Sequence, residues 1–268
     1  MTGASVMPFM RFGFLLLGIL FVFGGIEASA QKRNRLDLPY QQSKEADQKK
    51  GAAVLADFRG KGIAGDYYLE FTLRHTPRKG DVVEVQGKLY GSRDVNGPVS
   101  LLELGSVSAE EGVERYLIRS GINPEVWQMK NGTKPEKVEG KGLLAALAGT
   151  EVSLFDLQLQ FFYWQDFVYE GLIRYKGRPT HVFLLSPPNS DTYLDLPLSG
   201  VRIYLDSRFN ALRKAELIGE DEKVFKSVSL ISLKKIDEQW IPKRVDMRDD
   251  LSRDKTRMKF TVADLDVR

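Results

Sequence analysis

Apolar and polar residues alternate one for one between positions 67 and 74: Tyr67, Leu69, Phe71 and Leu73 share one phase, and Tyr68, Glu70, Thr72 and Arg74 the other. A period of two places the first set on a single face and predicts a strand buried on that side. Strand-like stretches recur at hairpin spacing, at 82–90, 99–104, 114–119 and 125–129, parted by turn formers such as Lys79-Gly80-Asp81, Asn96-Gly97-Pro98 and Asn131-Gly132. They resume at 167–175, 181–185, 201–205, 211–217, 224–233, 240–247 and 256–267. Ahead of them, Ala46, Val54, Leu55 and Phe58 fit a short amphipathic helix over 43–59 with Ser43 as its N-cap, although Gly51 weakens it. Between 142 and 159 the alternation breaks into the helix-compatible Leu143-Leu144-Ala145-Ala146-Leu147, then Gly149, then the apolar 152–157. About a dozen short strands, a helix before them and a helical interruption midway predict an α+β chain, mainly β, built on a curved antiparallel sheet. No repeat and no linker divides it, so residues 31–268 are expected to form a single domain.

The first thirty residues set a compartment. Arg11 precedes an apolar run over 12–25, and Ala28-Ser29-Ala30 stands just before Gln31-Lys32-Arg33. That is the order of a secretory signal peptide, residues 1–30, with cleavage before Gln31. The run is shorter than the ~20 residues that span a bilayer, which argues against an uncleaved anchor. The chain has no cysteine, which excludes disulfides, thiolate metal sites, a cysteine nucleophile and the lipid-modified cysteine of a lipoprotein. The expectation is a soluble exported protein, periplasmic where the host has two membranes. After the leader, residues 31–42 are polar and read as a loose arm.

Charge and composition mainly exclude. The 39 basic and 36 acidic residues are mixed along the chain, which argues against nucleic acid as a partner. A content of 43% apolar residues is enough for a sizeable core. His75 and His181 each sit in a strand-like stretch without a second ligand at metal spacing, so no metal site and no cofactor is expected. No nucleophile elbow, phosphate loop or dinucleotide fingerprint occurs, and an enzyme is not expected. Glu220-Asp221-Glu222 and Asp249-Asp250 fall where hairpin tips are predicted, and Asn131-Gly132-Thr133 matches a glycosylation sequon but reads as a turn.

The run Phe161-Phe162-Tyr163-Trp164 stands out, followed by Phe167 and Tyr169 and preceded by Leu154, Phe155, Leu157 and Leu159. One reading is an ordinary core segment where helix passes into strand. The other is that these residues, with Leu143, Leu144 and Leu147, line an apolar cavity under a helical cover, where each buried methylene of an acyl chain contributes ~0.8 kcal/mol. The candidate lipid-binding set is therefore Leu143, Leu144, Leu147, Leu154, Phe155, Leu157, Phe161, Phe162, Tyr163, Trp164 and Phe167.

An ordered series of short segments carries a family resemblance. It runs from Gly149-Thr150-Glu151-Val152-Ser153-Leu154-Phe155-Asp156-Leu157 through Tyr169-Glu170-Gly171 and residues 177–185 to Pro187-Pro188. It continues through residues 201–206, Lys223-Val224-Phe225-Lys226, Trp240-Ile241-Pro242-Lys243 and Asp254-Lys255-Thr256. This series resembles the outer-membrane lipoprotein-sorting protein family, of the LolA/LolB-like superfamily. The resemblance implies a half-open β-barrel with a helical lid over an apolar cavity that holds lipoprotein acyl chains. It implies a monomeric carrier of acylated lipoprotein or lipid cargo, working between membrane-bound donor and receptor proteins without covalent chemistry. The family's functional arginine aligns with none of Arg74, Arg93, Arg115 or Arg119 in particular. The alternative is a periplasmic sensor or envelope-assembly module of the same fold that recognises a protein partner.

Overall fold

The computed structural model describes residues 46–60, 63, 65–94, 97–106, 113–121, 123–129, 133–189, 193, 195–236 and 238–265. The leader, the polar arm, Ser43 and the Asn131-Gly132 turn lie outside the described residues. Helix α1, Gln48–Arg59, is capped by Asp47, whose carboxylate accepts the Lys50 backbone N–H at 3.0 Å. Asp47 thus takes the place expected of Ser43, satisfying an N–H that a helix start leaves without an intrahelical partner. Gly51 has a packing reason: a Cβ there would lie 2.5 Å from the Tyr169 side chain, so only glycine lets the helix approach.

Strands β1 (Tyr67–Thr76), β2 (Val83–Asp94), β3 (Gly97–Ser106), β4 (Glu114–Arg119), β5 (Glu125–Met129) and β6 (Glu136–Lys137) follow. After a helical stretch come β7 (Phe167–Tyr175), β8 (Arg178–Leu185), β9 (Gly200–Asp206), β10 (Ala211–Ile218), β11 (Val224–Ile236), β12 (Gln239–Asp249) and β13 (Lys255–Leu265). β6 has two charged residues and no apolar phase, so no pattern announced it. The helix expected at Leu143–Leu147 is only a 3₁₀ turn, Gly140–Leu144. It stops because Ala145 is extended and Ala148 and Gly149 take φ of 47° and 67°.

The chain is mainly β: one open, curved, antiparallel sheet of 13 strands in the order β6-β5-β4-β3-β2-β1-β13-β12-β11-β10-β9-β8-β7. Because β1 pairs with β13, the two ends of the strand series meet in the middle of the sheet and its edges come from mid-chain. One buried row crosses seven strands from β7 to β13: Tyr169, Phe183, Ile203, Ala215, Val228, Met247 and Thr256. Two glycines shape the other flank. Gly87 and Gly91 of β2 stand opposite Phe71 and Tyr67 of β1, and a Cβ on either would fall 2.2 Å or 1.8 Å from the ring. The rings lie across the bare backbone of the next strand, a packing that accompanies strong sheet curvature.

Candidate functional site

The two edge strands are joined directly by residues 138–166, which hold most of the apolar set singled out above. Helix α2, Leu154–Gln158, begins with a reciprocal capping box between Ser153 and Asp156 and ends at Leu159 with φ 50°. A second 3₁₀ turn, Gln160–Tyr163, leads into β7. Polar links tie this segment to widely separated strands. Gln158 donates to the Arg119 carbonyl at 2.9 Å and Gln160 to that of Gly121 at 2.8 Å, while the Ser120 hydroxyl donates to the Gln158 carbonyl at 3.0 Å. Across the sheet, the Glu151 N–H donates to the Thr256 hydroxyl at 2.8 Å.

Two charged side chains hold the segment from either side. Lys226 of β11 forms a buried ion pair with Asp156 and lies 3.4 Å from the Ser153 hydroxyl. Arg59, from the last turn of α1, donates to the Phe162 carbonyl at 2.6 Å and also to that of Trp164. Burial lowers the Arg59 pKa. Neither residue was a sequence candidate. Lys226 did carry a signal, since it sits in the apolar phase of its strand with Val228, and Ser153 three residues before Asp156 is a capping pattern; Arg59 carried none.

Seven of the eleven candidates are buried: Leu143, Leu147, Leu154, Phe155, Phe161, Phe162 and Trp164. Leu144, Leu157, Tyr163 and Phe167 are half-buried and pack on the same core. The rings meet in a chain, Phe58 to Phe162 at 4.9 Å, Phe162 to Phe161 at 4.6 Å, Phe161 to Phe155 at 5.8 Å and Phe155 to Trp164 at 6.1 Å. Phe155 is 0% exposed, Phe161 1% and Trp164 2%. A side chain facing water-sized space would show surface on that side, so in this state these three rings are enclosed by protein atoms. Where the segment nears the surface, Gln160, Tyr163, Trp164 and Tyr193 border a cleft of about 520 Å³.

Both histidines and Glu151 have partners within the fold. His181 is buried beside Tyr169, whose hydroxyl lies 2.7 Å from Nδ1, and burial, with Lys50, lowers its pKa. His75 lies 3.3 Å from the Thr256 hydroxyl. Burial, with the charge of Asp249, raises the Glu151 pKa. Among the described residues no group of three or more His, Cys, Asp or Glu could hold a metal ion, and no helix is long and apolar enough to cross a membrane. Glu220, Asp221 and Glu222 form the exposed tip between β10 and β11.

A family model described as an uncharacterized protein matches residues 125–268, just over half of the chain. None of the curated proteins matches it in sequence. Among solved structures, a DUF1329 family protein from Desulfovibrio piger is similar at a TM-score of 0.71 and 16% identity, covering 83% of this chain and 95% of its own. A putative outer membrane lipoprotein-sorting protein domain from Vibrio parahaemolyticus is similar at 0.63 and 12%, over 75% of this chain and 85% of its own. A LolA superfamily protein from Nitrosomonas europaea is similar at 0.58 and 15%, over 75% and 86%. The matched residues carry β5 to β13 and the whole of the segment that joins the sheet's edges. The chain belongs to that family, and its fold is similar to those of the lipoprotein-sorting protein domain and the LolA superfamily protein.

Proposed function

We propose that the protein is a periplasmic carrier that holds the acyl chains of a lipoprotein or lipid and takes part in sorting lipoproteins to the outer membrane. The observation that supports this most is the aromatic segment between the sheet edges, held over the buried face by a few polar links. In this reading residues 138–166 are the lid, and Leu143, Leu144, Leu147, Leu154, Phe155, Leu157, Phe161, Phe162, Tyr163, Trp164 and Phe167 form the acyl-binding surface once it lifts. Desolvation of the acyl chain supplies affinity at ~0.8 kcal/mol per methylene. Because the same side chains pack on one another when no cargo is held, cargo gains only the difference between its burial and theirs, which keeps release attainable. No bond is made or broken.

The filled interior also favours a second reading, a sensor or assembly module of the same fold that engages a protein segment and never takes up lipid. The experiment that separates them is native mass spectrometry of protein purified gently from its host, followed by solvent extraction of whatever it holds. The carrier reading expects acylated polypeptide or phospholipid near one-to-one occupancy. It also expects that Tyr163→Glu with Phe167→Lys, at half-buried positions, lowers occupancy while the circular dichroism of the sheet persists. An empty protein that also fails to take up a fluorescent fatty acid would give the partner-binding reading the lead.

A further inference from the structure

At one end of the sheet the β1–β2 loop, residues 77–82, lies beside the β12–β13 loop, residues 250–254, because Thr76 pairs with Lys255. The Arg78 backbone N–H donates to the Asp254 carboxylate at 2.6 Å and fixes one loop to the other. Between them is a cleft of about 470 Å³ lined by Arg74, Arg78, Arg253, Lys255 and Arg257. Three carboxylates reach this cluster. Asp246 binds Arg257 at 2.8 and 2.9 Å and Lys255 at 2.7 Å, Glu84 lies 3.6 Å from Arg74, and Asp254 is engaged by the Arg78 backbone. Arg253 forms no ion pair among the described residues, and it sits at φ 69°, where glycine or asparagine is the easier choice. Leu251, at 73% the most exposed large apolar side chain among the described residues, stands on one of these loops, Val82 at 46% on the other, and Val83 at 43% opens β2 next to it.

Open-faced cations flanked by protruding aliphatic tips match the interface of a bilayer, where phosphates lie just outside the first methylenes. A site for a small soluble anion would need no apolar rim. We propose that these two loops dock the protein on an anionic phospholipid surface, the cleft taking headgroup phosphates while Leu251, Val82 and Val83 enter the acyl boundary. The next tip along this end, Glu220-Asp221-Glu222 between β10 and β11, is acidic and exposed, which confines the docking face to the β1–β13 side. The contact is made by the protein without cargo, so it stands or falls separately from the carrier reading.

Flotation of the purified, cargo-stripped protein with phosphatidylcholine vesicles, with and without phosphatidylglycerol, tests this. Binding is expected only where phosphatidylglycerol is present, falling as salt rises. Arg78→Gln with Arg253→Gln should weaken it about 25-fold, since each cation near an anionic surface contributes about fivefold. Both loops keep their backbone hydrogen bonds in that variant, and Leu251→Ser supplies an independent loss without changing the charge. Lys235→Gln with Lys243→Gln, an equal charge change near the turn of the β11–β12 hairpin at the opposite end of the sheet, should leave most binding intact. The proposal fails if phosphatidylglycerol vesicles do not bind, or if this control loses as much as the cleft variant. It also fails if inorganic phosphate displaces the protein better than chloride at matched ionic strength, which would mark a small-anion site.

Discussion

Lys226 shows what one buried charge does here. Its side chain is 9% exposed and that of its partner Asp156 is 0% exposed, and Asp156 Oδ1 has no hydrogen-bond partner. Two charges removed from water are tolerated only together, because desolvation of either alone costs more than the fold recovers. Lys226→Met is therefore expected to cost about 3–5 kcal/mol by stranding the carboxylate. Adding Asp156→Leu should return part of that loss, but not the ~1 kcal/mol of the Ser153 cap that Asp156 completes. Urea denaturation of the two single variants and the double measures the coupling. A Lys226→Met protein as stable as the parent would show that the carboxylate does not depend on this partner. The pair joins α2 to β11 across 70 positions of chain, so the alternation holds a signal for the lysine, which was not read, and none for the acid that explains it.

At the scale of elements, β2 shows how composition sets curvature. Gly87 and Gly91 lie in the buried phase of their strand, where apolar side chains would be expected, and the rings of Phe71 and Tyr67 occupy the space instead. Gly87→Ala should cost about 1–3 kcal/mol, since the ring has to leave its rotamer. Gly105→Ala in β3, where a Cβ meets nothing within 4 Å, should be neutral or stabilise by up to ~1 kcal/mol. Thermal melts of the two variants give the comparison, and equal melting points would remove the ring-over-glycine account. Strands of this kind were legible because each buries one face, so a period of two survives in the residue types; 114–119, 125–129 and 167–175 appear at the positions expected. The central helical stretch was less legible. It is buried by tertiary contact rather than by its own propensity, so an apolar run that reads as a helix at 143–147 folds as a 3₁₀ turn and an extended loop.

For the whole molecule, the aromatic run was visible in sequence, whereas the fact that it is the direct connection between both sheet edges was not. That fact depends on β13 pairing with β1, a contact between the far ends of the strand series. It carries a kinetic consequence for the carrier reading. With Phe155, Phe161 and Trp164 enclosed, an acyl chain has no room beside them until residues 138–166 move, and movement breaks the links from Arg59, Gln158, Gln160, Glu151 and Lys226. Uptake that must follow opening cannot proceed faster than the opening itself. The observed rate of fluorescent fatty-acid uptake should therefore rise with ligand concentration and then level off at the opening rate. Arg59→Met, which removes two backbone links, should raise that plateau while changing the low-temperature circular dichroism little. A rate that climbs linearly, without a plateau and equally in both proteins, would mean that the acyl site is already open. The binding surface would then have to lie outside the enclosed rings, with the cleft at Tyr163 and Tyr193 as the place to look.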